Sequence, residues 1–392
     1  MKKLIFAVLA VIVMATPVVN AQKINKQVLL DKIAKADATV NDAKKGKKAA
    51  SWIVRGDAYF KAATEPTKEL FAGVGYSVVE VAWGLPESKT DGVVINGNTF
   101  TEMVYPWVKI YVANNQVITW IQTKQVKEGD LVTAALEAYK KAYEVEPKQA
   151  KKVDVCLKRL INFLAMSGNA DQDAAQWGSA ADNYFKAYQV QECPAFVGEK
   201  NASYLYFAGY LWVLDGNVNK KQDSYKKAVD ALNKALEVGY ADEKGDIYYY
   251  LYMCYYLQYD SPVRAANLER AKQVLMEGLA KFPSNDNIVG GLISLYTDAS
   301  ANIGNPADLI EMVDKALEND PQNSGLWYGR GRIFFSLKNY DESIASFKKV
   351  AELDPKDAQV QFFIGYFYLV QADAMNDEIN KKDYKSNAEF NE

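Results

Sequence analysis

Histidine is absent from the 392-residue chain. That absence removes every Ser-His-Asp or Cys-His catalytic arrangement and every histidine-ligated metal site. Cysteine is scarce, with only Cys156, Cys193 and Cys254. An odd count at wide spacing is not a disulfide framework. Each lies in or beside an apolar helical stretch, where a thiol packs as a small hydrophobe; one bridge stays open in an oxidising compartment. No Walker loop, Rossmann fingerprint, CxxC pair, HExxH or G-x-S-x-G occurs, so no cofactor is expected. Asp171-Gln172-Asp173 lacks the glycine and distant glutamate of a calcium loop. Its place at the expected start of a helix reads as capping instead. Glu80 with Glu87, and Asp242 with Asp246, have no evident reason to share a pocket. No catalytic and no metal residues are assigned, and the chain reads as not an enzyme. A carboxylate-only hydrolase stays formally open, because it would need only Asp and Glu.

Charge of one sign is also lacking. There are 46 Lys and Arg against 49 Asp and Glu, and no basic stripe, so nucleic acid is not an expected partner. Long apolar runs are missing everywhere but the start. Lys2 and Lys3 precede an apolar run from Leu4 to Met14, Pro17 breaks it, and Val19-Asn20-Ala21 offers small residues for cleavage. This is the layout of a signal peptide spanning 1–21, with Gln22 as the new N-terminus. The run falls short of the ~20 residues needed to cross a bilayer. No cysteine near the cleavage site suggests a lipid anchor, and no transmembrane segment is expected after cleavage. The expected location is periplasmic or outer-membrane associated, or secreted.

What is present in abundance is tyrosine, 26 in all, in a chain that is 49% hydrophobic. The apolar residues recur with a long period. Trp327, Gly331 and Phe334, then Ser343, Phe347 and Val350, then Pro355 lie within one unit, 324–357. The order describes two antiparallel helices: a small residue admits a large one from the opposite helix, and proline ends the pair. The spacing matches W-x2-L-G-x2-Y, A-x3-F and P, and the unit resembles the tetratricopeptide-repeat (TPR) family. Arg330 takes the usual leucine position, where its head would have to reach water. Ser343 and Val350 replace alanines.

Weaker copies follow the same order. Trp52, Gly56 and Tyr59 form a first helix whose second helix comes much later, at Ala135, Tyr139 and Ala142 with Pro147. A degenerate pair over 150–193 carries Ala180, Tyr184 and Ala187. Leu205, Ala208, Gly209 and Trp212 face Ala228, Leu232 and Ala235, with Asn217 to Asp223 as an inserted turn. Tyr248, Leu251 and Tyr255 face Ala271, Leu275 and Gly278 before Pro283, across a long turn at Asp260-Ser261-Pro262. Leu309, Val313 and Ala316 precede Pro321, with a turn widened by Asn302 to Pro306. Gln361, Ile364, Gly365 and Tyr368 open a seventh first helix, and the polar stretch 371–392 is either its cap or the start of an incomplete unit. The resemblance covers roughly 48–63 and 130–392. It implies a mainly α fold, a right-handed TPR-like α-solenoid, with the repeats at 49–64 plus 128–392. Residues 22–48 read as a capping helix, with Val28, Ile33 and Ala36 on its apolar side and Gly46 as its stop.

Residues 65–127 change pattern. Asn96-Gly97 and Asn114-Asn115 are tight-turn dipeptides between β-prone runs at Val93 to Ile95, Thr99 to Tyr105, Trp107 to Val112 and Gln116 to Thr123. Pro106 marks a break between strands. Ahead of them Leu70 to Pro86 holds a short helix. The whole reads as an α+β insert with an antiparallel meander of three or four strands, placed inside the first hairpin. Gly73-x5-Val79-x4-Gly84-x-Pro86 resembles the small lipoprotein domain beside the outer-membrane β-barrel insertase, although Val74-Gly75 stands where Met-Ser/Thr is usual. That resemblance implies protein binding in envelope assembly.

In TPR relatives that bind peptides, the first helices line a concave groove. Carried onto matching positions, the groove residues are Tyr206, Tyr210, Tyr249, Tyr256, Tyr328, Arg332, Phe335, Phe362 and Tyr366. Each could equally be core between repeats. Protein or peptide partners are expected, with glycan as the rival ligand because aromatic faces also suit sugar rings.

Overall fold

A computed structural model of the chain describes residues 24–381, apart from 241, 259–262, 299, 302 and 357. The expected signal segment 1–21, the turn at Asp260-Ser261-Pro262 and the end of the polar tail lie outside the described residues. The chain divides into two compact units, one ending at Tyr204 and the other beginning at Leu205.

The first unit contains helices α1 (Lys26–Asn41), α2 (Ala49–Thr64) and α3 (Tyr76–Trp83), strands β1 (Ser88–Ile95), β2 (Asn98–Val104), β3 (Val108–Ala113) and β4 (Gln116–Gln122), and helices α4 (Leu131–Val145), α5 (Ala150–Asp173) and α6 (Trp177–Gln191). Helices α2 and α4 pair although the insert separates them in sequence. A Cβ on Gly56 would lie 2.3 Å from the Tyr139 ring, so only glycine admits that ring. The buried Tyr139 hydroxyl donates to Asp57 Oδ1 at 2.9 Å. Helix α4 starts where the Asp130 carboxylate caps it by accepting from Thr133 N at 2.9 Å. In the next pair, α5 and α6, Gly168 meets the Tyr184 ring in the same way.

Helix α1 lies against α2 and buries Leu29, Ile33, Ala36 and Val40. The expected apolar face is corrected at one position: Val28 is exposed, and Leu29 one residue on takes its place. Gly46 does not stop α1, which already ends at Asn41; it sits in a 3-10 turn, where a Cβ would collide with the Val40 carbonyl at 2.2 Å.

The insert is a four-stranded antiparallel meander in the order β1-β2-β3-β4, with its own core. Asn96-Gly97 and Asn114-Asn115 both turn with positive φ, as two-residue hairpins of this type require. Pro106 falls in the β2–β3 turn, closed by Tyr105 N donating to Val108 O. Val79, Trp83, Tyr105, Val108 and Ile110 fill the space between α3 and the sheet. The edge of β4 is covered by Gly73 to Tyr76, which exchange backbone hydrogen bonds with Asn115 and Val117. The insert is fixed to its host through α5: Ala170 belongs to the insert core, and its carbonyl accepts from Thr119 Oγ1 at 2.5 Å.

The second unit contains α7 (Ser203–Asn219), α8 (Gln222–Glu237), α9 (Asp246–Tyr256), α10 (Arg264–Lys281), α11 (Asp286–Thr297), α12 (Pro306–Asn319), α13 (Ser324–Ser336), α14 (Tyr340–Leu353) and α15 (Ala358–Lys381). The small-to-large contact recurs as Gly209 on Leu232, Gly278 on Tyr248 and Gly331 on Phe347. Asparagines at positions 285, 305, 323 and 339 cap successive helices with their side-chain oxygens. The expected inserted turn at Asn217 to Asp223 is mostly helix: α7 continues through Asn219, and Lys220 turns the chain with φ +57°.

Two expectations about the C-terminal half are corrected. Arg330 does not reach for water. Its guanidinium is clamped between Asp314 on α12 at 2.7 Å and Glu342 on α14 at 2.9 Å, also donates to Ser346 Oγ, and lies 4.5 Å from the Phe334 ring centroid. On α15, Gly365 and Tyr368 face no following helix among the described residues; Gly365 has nothing within 4 Å of a Cβ, and Tyr368 is exposed. Val360, Phe363, Ile364 and Phe367 instead hold α15 on the core shared with α13 and α14. All three cysteines are free and buried.

Candidate functional site

The nine expected groove residues fall into two groups. Tyr206, Tyr210, Tyr249 and Tyr256 are half-buried and come together on α7 and α9. Three further tyrosines complete the group. Tyr206 is 5.2 Å from Tyr240 and 6.1 Å from Tyr250, ring centroid to centroid, and Tyr210 is 5.0 Å from Tyr250. Tyr250 continues to Tyr249 at 6.0 Å, then Tyr252 at 5.8 Å, then Tyr256 at 5.4 Å. These spacings lie within the range of offset aromatic pairs, so the rings brace one another. Seven tyrosines thus form one continuous aromatic run.

The run ends at acidic anchors. The Tyr256 hydroxyl donates to Asp298 Oδ2 at 2.6 Å, and the Arg264 guanidinium lies 5.1 Å over the Tyr256 ring. Hydrogen bonds from Ser300 and from the Tyr256 hydroxyl hold the Asp298 carboxyl down at about 2. At the other end Asp242 caps α9, accepting from Asp246 N and Ile247 N. Burial, reinforced by neighbouring tyrosines and acids, raises Tyr206 and pushes Tyr250 up to about 12, so both phenols stay neutral donors at any ordinary pH.

The second group surrounds α13 and α15. Tyr328 is buried, with its hydroxyl donating to Asp286 Oδ1 at 2.9 Å, and Arg332 pairs with the same oxygen at 2.9 Å. Tyr328 is therefore core, as part of a Phe347–Phe363 cluster, and not a groove residue. Phe335 is half-buried and stacks on Phe367 at 4.1 Å. Phe362 and Tyr366 are exposed and nearly parallel, with centroids 6.3 Å apart. The two groups touch opposite ends of α11, at Asp298 and Asp286, about 18 Å apart along a helix of that length. They are separate surfaces.

A family-wide sequence profile described as "Tetratricopeptide repeat" matches residues 325–357. Those residues form the α13–α14 pair with its Gly331–Phe347 contact and Pro355. The α13–α14 pair is a tetratricopeptide repeat. No curated protein sequence matches the chain. Among solved structures, a TPR protein of Thermus thermophilus is similar at 17% identity, covering 53% of this chain and 99% of its own, with a TM-score of 0.29. A tetratricopeptide repeat protein of Parabacteroides merdae follows at 13% identity, 60% and 92% coverage, and a TM-score of 0.27. YrrB, described as a TPR protein with an unusual peptide-binding site, matches at 19% identity, 58% and 97% coverage, and a TM-score of 0.26.

Along α7 and α9, the repeat spacing places Tyr206, Tyr210, Tyr249 and Tyr256 together but misses Tyr240, Tyr250 and Tyr252. Tyr240 lies in a loop before α9, outside any repeat position. Tyr250 and Tyr252 lie between Tyr249 and Tyr256 in the tyrosine-dense segment from Tyr248 to Tyr256, and that density is the one available signal. A further residue was misread. Asp171 is not a helix cap: it sits in the last turn of α5, and its Oδ2 accepts from Ser179 Oγ at 2.5 Å and Asn183 Nδ2 at 2.9 Å, both on α6.

Proposed function

We propose that the protein is an exported, non-catalytic TPR scaffold that binds protein or peptide partners, with a role in cell-envelope assembly. The observation that carries the reading is the seven-tyrosine run on α7, α9 and the loop before α9. Six of its tyrosines are half-buried and Tyr252 is buried, and the run is braced by ring contacts and by the Tyr256–Asp298 bond. Pre-ordered aromatics lose little side-chain entropy on binding, which makes them efficient contact residues. Export is supported by the Lys2-Lys3 start, the apolar run to Met14 and the small residues at Val19 to Ala21. Among the described residues no helix is long and apolar enough to cross a membrane. The envelope role is supported by the glycine, valine and proline spacing of the insert.

The test is a display library of random peptides panned on the full chain, with affinities of selected peptides measured for wild type, Tyr206→Ala and Tyr250→Ala. The reading expects each substitution to weaken binding about tenfold, the effect of a residue worth ~1.4 kcal/mol. Retention on polysaccharide columns with no peptide selected would replace it with a glycan-binding accessory role. Export is tested by fractionation: cleavage before Gln22 should appear in the N-terminal sequence of the extracytoplasmic protein.

A further inference from the structure

The insert and its host enclose a cleft of about 650 Å³ in the first unit, bounded by β4, the chain returning from it, and α5 and α6. That volume lies within the range of small-ligand sites. We propose that this cleft binds an organic cation, an ammonium or guanidinium group, with the Asp171 carboxylate as its counter-ion. The proposal is independent of the tyrosine face, which lies in the other unit.

Three observations carry it. The first is the sign of the wall. Three carboxylates, Asp130, Asp171 and Asp182, line the cleft against two ammonium groups, Lys124 and Lys186, an excess of one acid, and Lys186 pairs with Asp130 at 2.6 Å. The second is the state of Asp171. Both of its donors, Ser179 and Asn183, are neutral and both address Oδ2. Among the described residues it has no cationic partner and nothing donates to Oδ1. A carboxylate in a poorly solvated wall without a counter-charge is destabilising unless a ligand supplies one. Burial raises the Asp171 carboxyl to about 6 despite its two hydrogen bonds. Perturbed acids of this kind concentrate at functional sites. The third is shape. Phe163, half-buried, lines the same cleft beside the buried Trp120 and Leu131, and its ring gives an alkyl stem one apolar contact while the charged head reaches the acid.

The cation has two possible sources, a free amine or a Lys or Arg side chain of a peptide, and titration calorimetry on the full chain separates them. The probes are 1,4-diaminobutane, the peptide Gly-Gly-Arg-Gly-Gly, its Gln counterpart, and a neutral disaccharide. Asp171→Asn keeps an oxygen for Ser179 and Asn183 while removing the charge, and Asp173→Asn is the control outside the cleft. The expected result is saturable binding of the diamine or the Arg peptide at pH 7.5, at least about tenfold weaker in Asp171→Asn, unchanged in Asp173→Asn, and weakening as pH falls below about 6. Diamine binding alone identifies a free amine; binding of the Arg peptide alone identifies a side chain. Absence of saturable cation binding, equal binding by Asp171→Asn, or preference for the disaccharide or the Gln peptide overturns the proposal. Thermal unfolding of both variants confirms that a lost signal is not lost fold.

Discussion

Two hairpins of this protein make the same contact by different routes. Helices α13 and α14 are joined through Leu337, Lys338 and Asn339; α2 and α4 are joined through an entire α+β module. Yet Gly331 receives Phe347 as Gly56 receives Tyr139. The entropy of closing a loop grows only slowly with its length, and a folded insert with adjacent ends closes it further. The hairpin is therefore specified by its interface and not by its connection. The difference lies in what each interface does with its large residue. Phe347 is wholly apolar, whereas the Tyr139 hydroxyl reaches Asp57, which also receives Arg159 from α5 at 2.7 Å. The split hairpin thus ties three helices with a polar tip, and it carries the insert that walls the cleft beside it.

If the two contacts are equivalent, Tyr139→Ala and Phe347→Ala should each destabilise by about 3–5 kcal/mol in denaturant unfolding followed by circular dichroism. A loss below ~1 kcal/mol at Tyr139 would break the comparison and make the split pair a loose association. The next effect belongs to the insert-bearing side alone. The folded-state pKa of Asp171, about 6, exceeds its ordinary 3.8. Between those values the folded protein holds more protons than the unfolded chain, so stability falls as pH rises through the window and the loss is complete above it. Asp171→Asn should therefore raise stability at pH 7.5 by up to about 3 kcal/mol and leave it nearly unchanged at pH 3.5. A variant less stable than wild type at pH 7.5 would make the carboxylate structural.

Smaller effects sharpen the contrast. Gly56→Ala and Gly331→Ala should each cost up to about 2 kcal/mol, the overpacking cost of about 1–3 kcal/mol less the ~1 kcal/mol helix-propensity gain. Chemical denaturation midpoints that rise in either variant would show that the ring moves freely. Smallest is Tyr139→Phe, which leaves Asp57 accessible and still paired with Arg159; a loss of about 1 kcal/mol is expected in the same assay. Phe347→Tyr is the converse, placing an unpartnered hydroxyl in a dry core, and should destabilise by about 1–3 kcal/mol.

Much of the architecture was legible along the chain. Glycine, a large residue at fixed spacing and a closing proline describe a helical pair wherever they recur, because the contact they encode is local in period. The insert was equally readable: Asn96-Gly97 and Asn114-Asn115 fix two hairpins, β1–β2 and β3–β4, which between them contain all four strands. The frame failed where neighbours decide. Val28 and Leu29 are adjacent apolar residues, and only the packing of α1 on α2 selects Leu29. Tyr328 occupies the same repeat position as Tyr206 but is buried under α15, which the spacing of its own unit does not reveal.

By itself, then, the sequence determined the helix pairs, the turns and the site of interruption, since backbone preference and hydrophobic period act within one short segment. Tertiary structure decided the chemistry. Arg330 is clamped because Asp314 and Glu342 arrive on flanking helices, and seven tyrosines become one surface because α7 and α9 are neighbours. Asp171 becomes a half-buried acid because Ser179 and Asn183 close over it from α6. Charge, burial and pKa depend on side chains remote in sequence, which no repeat pattern records.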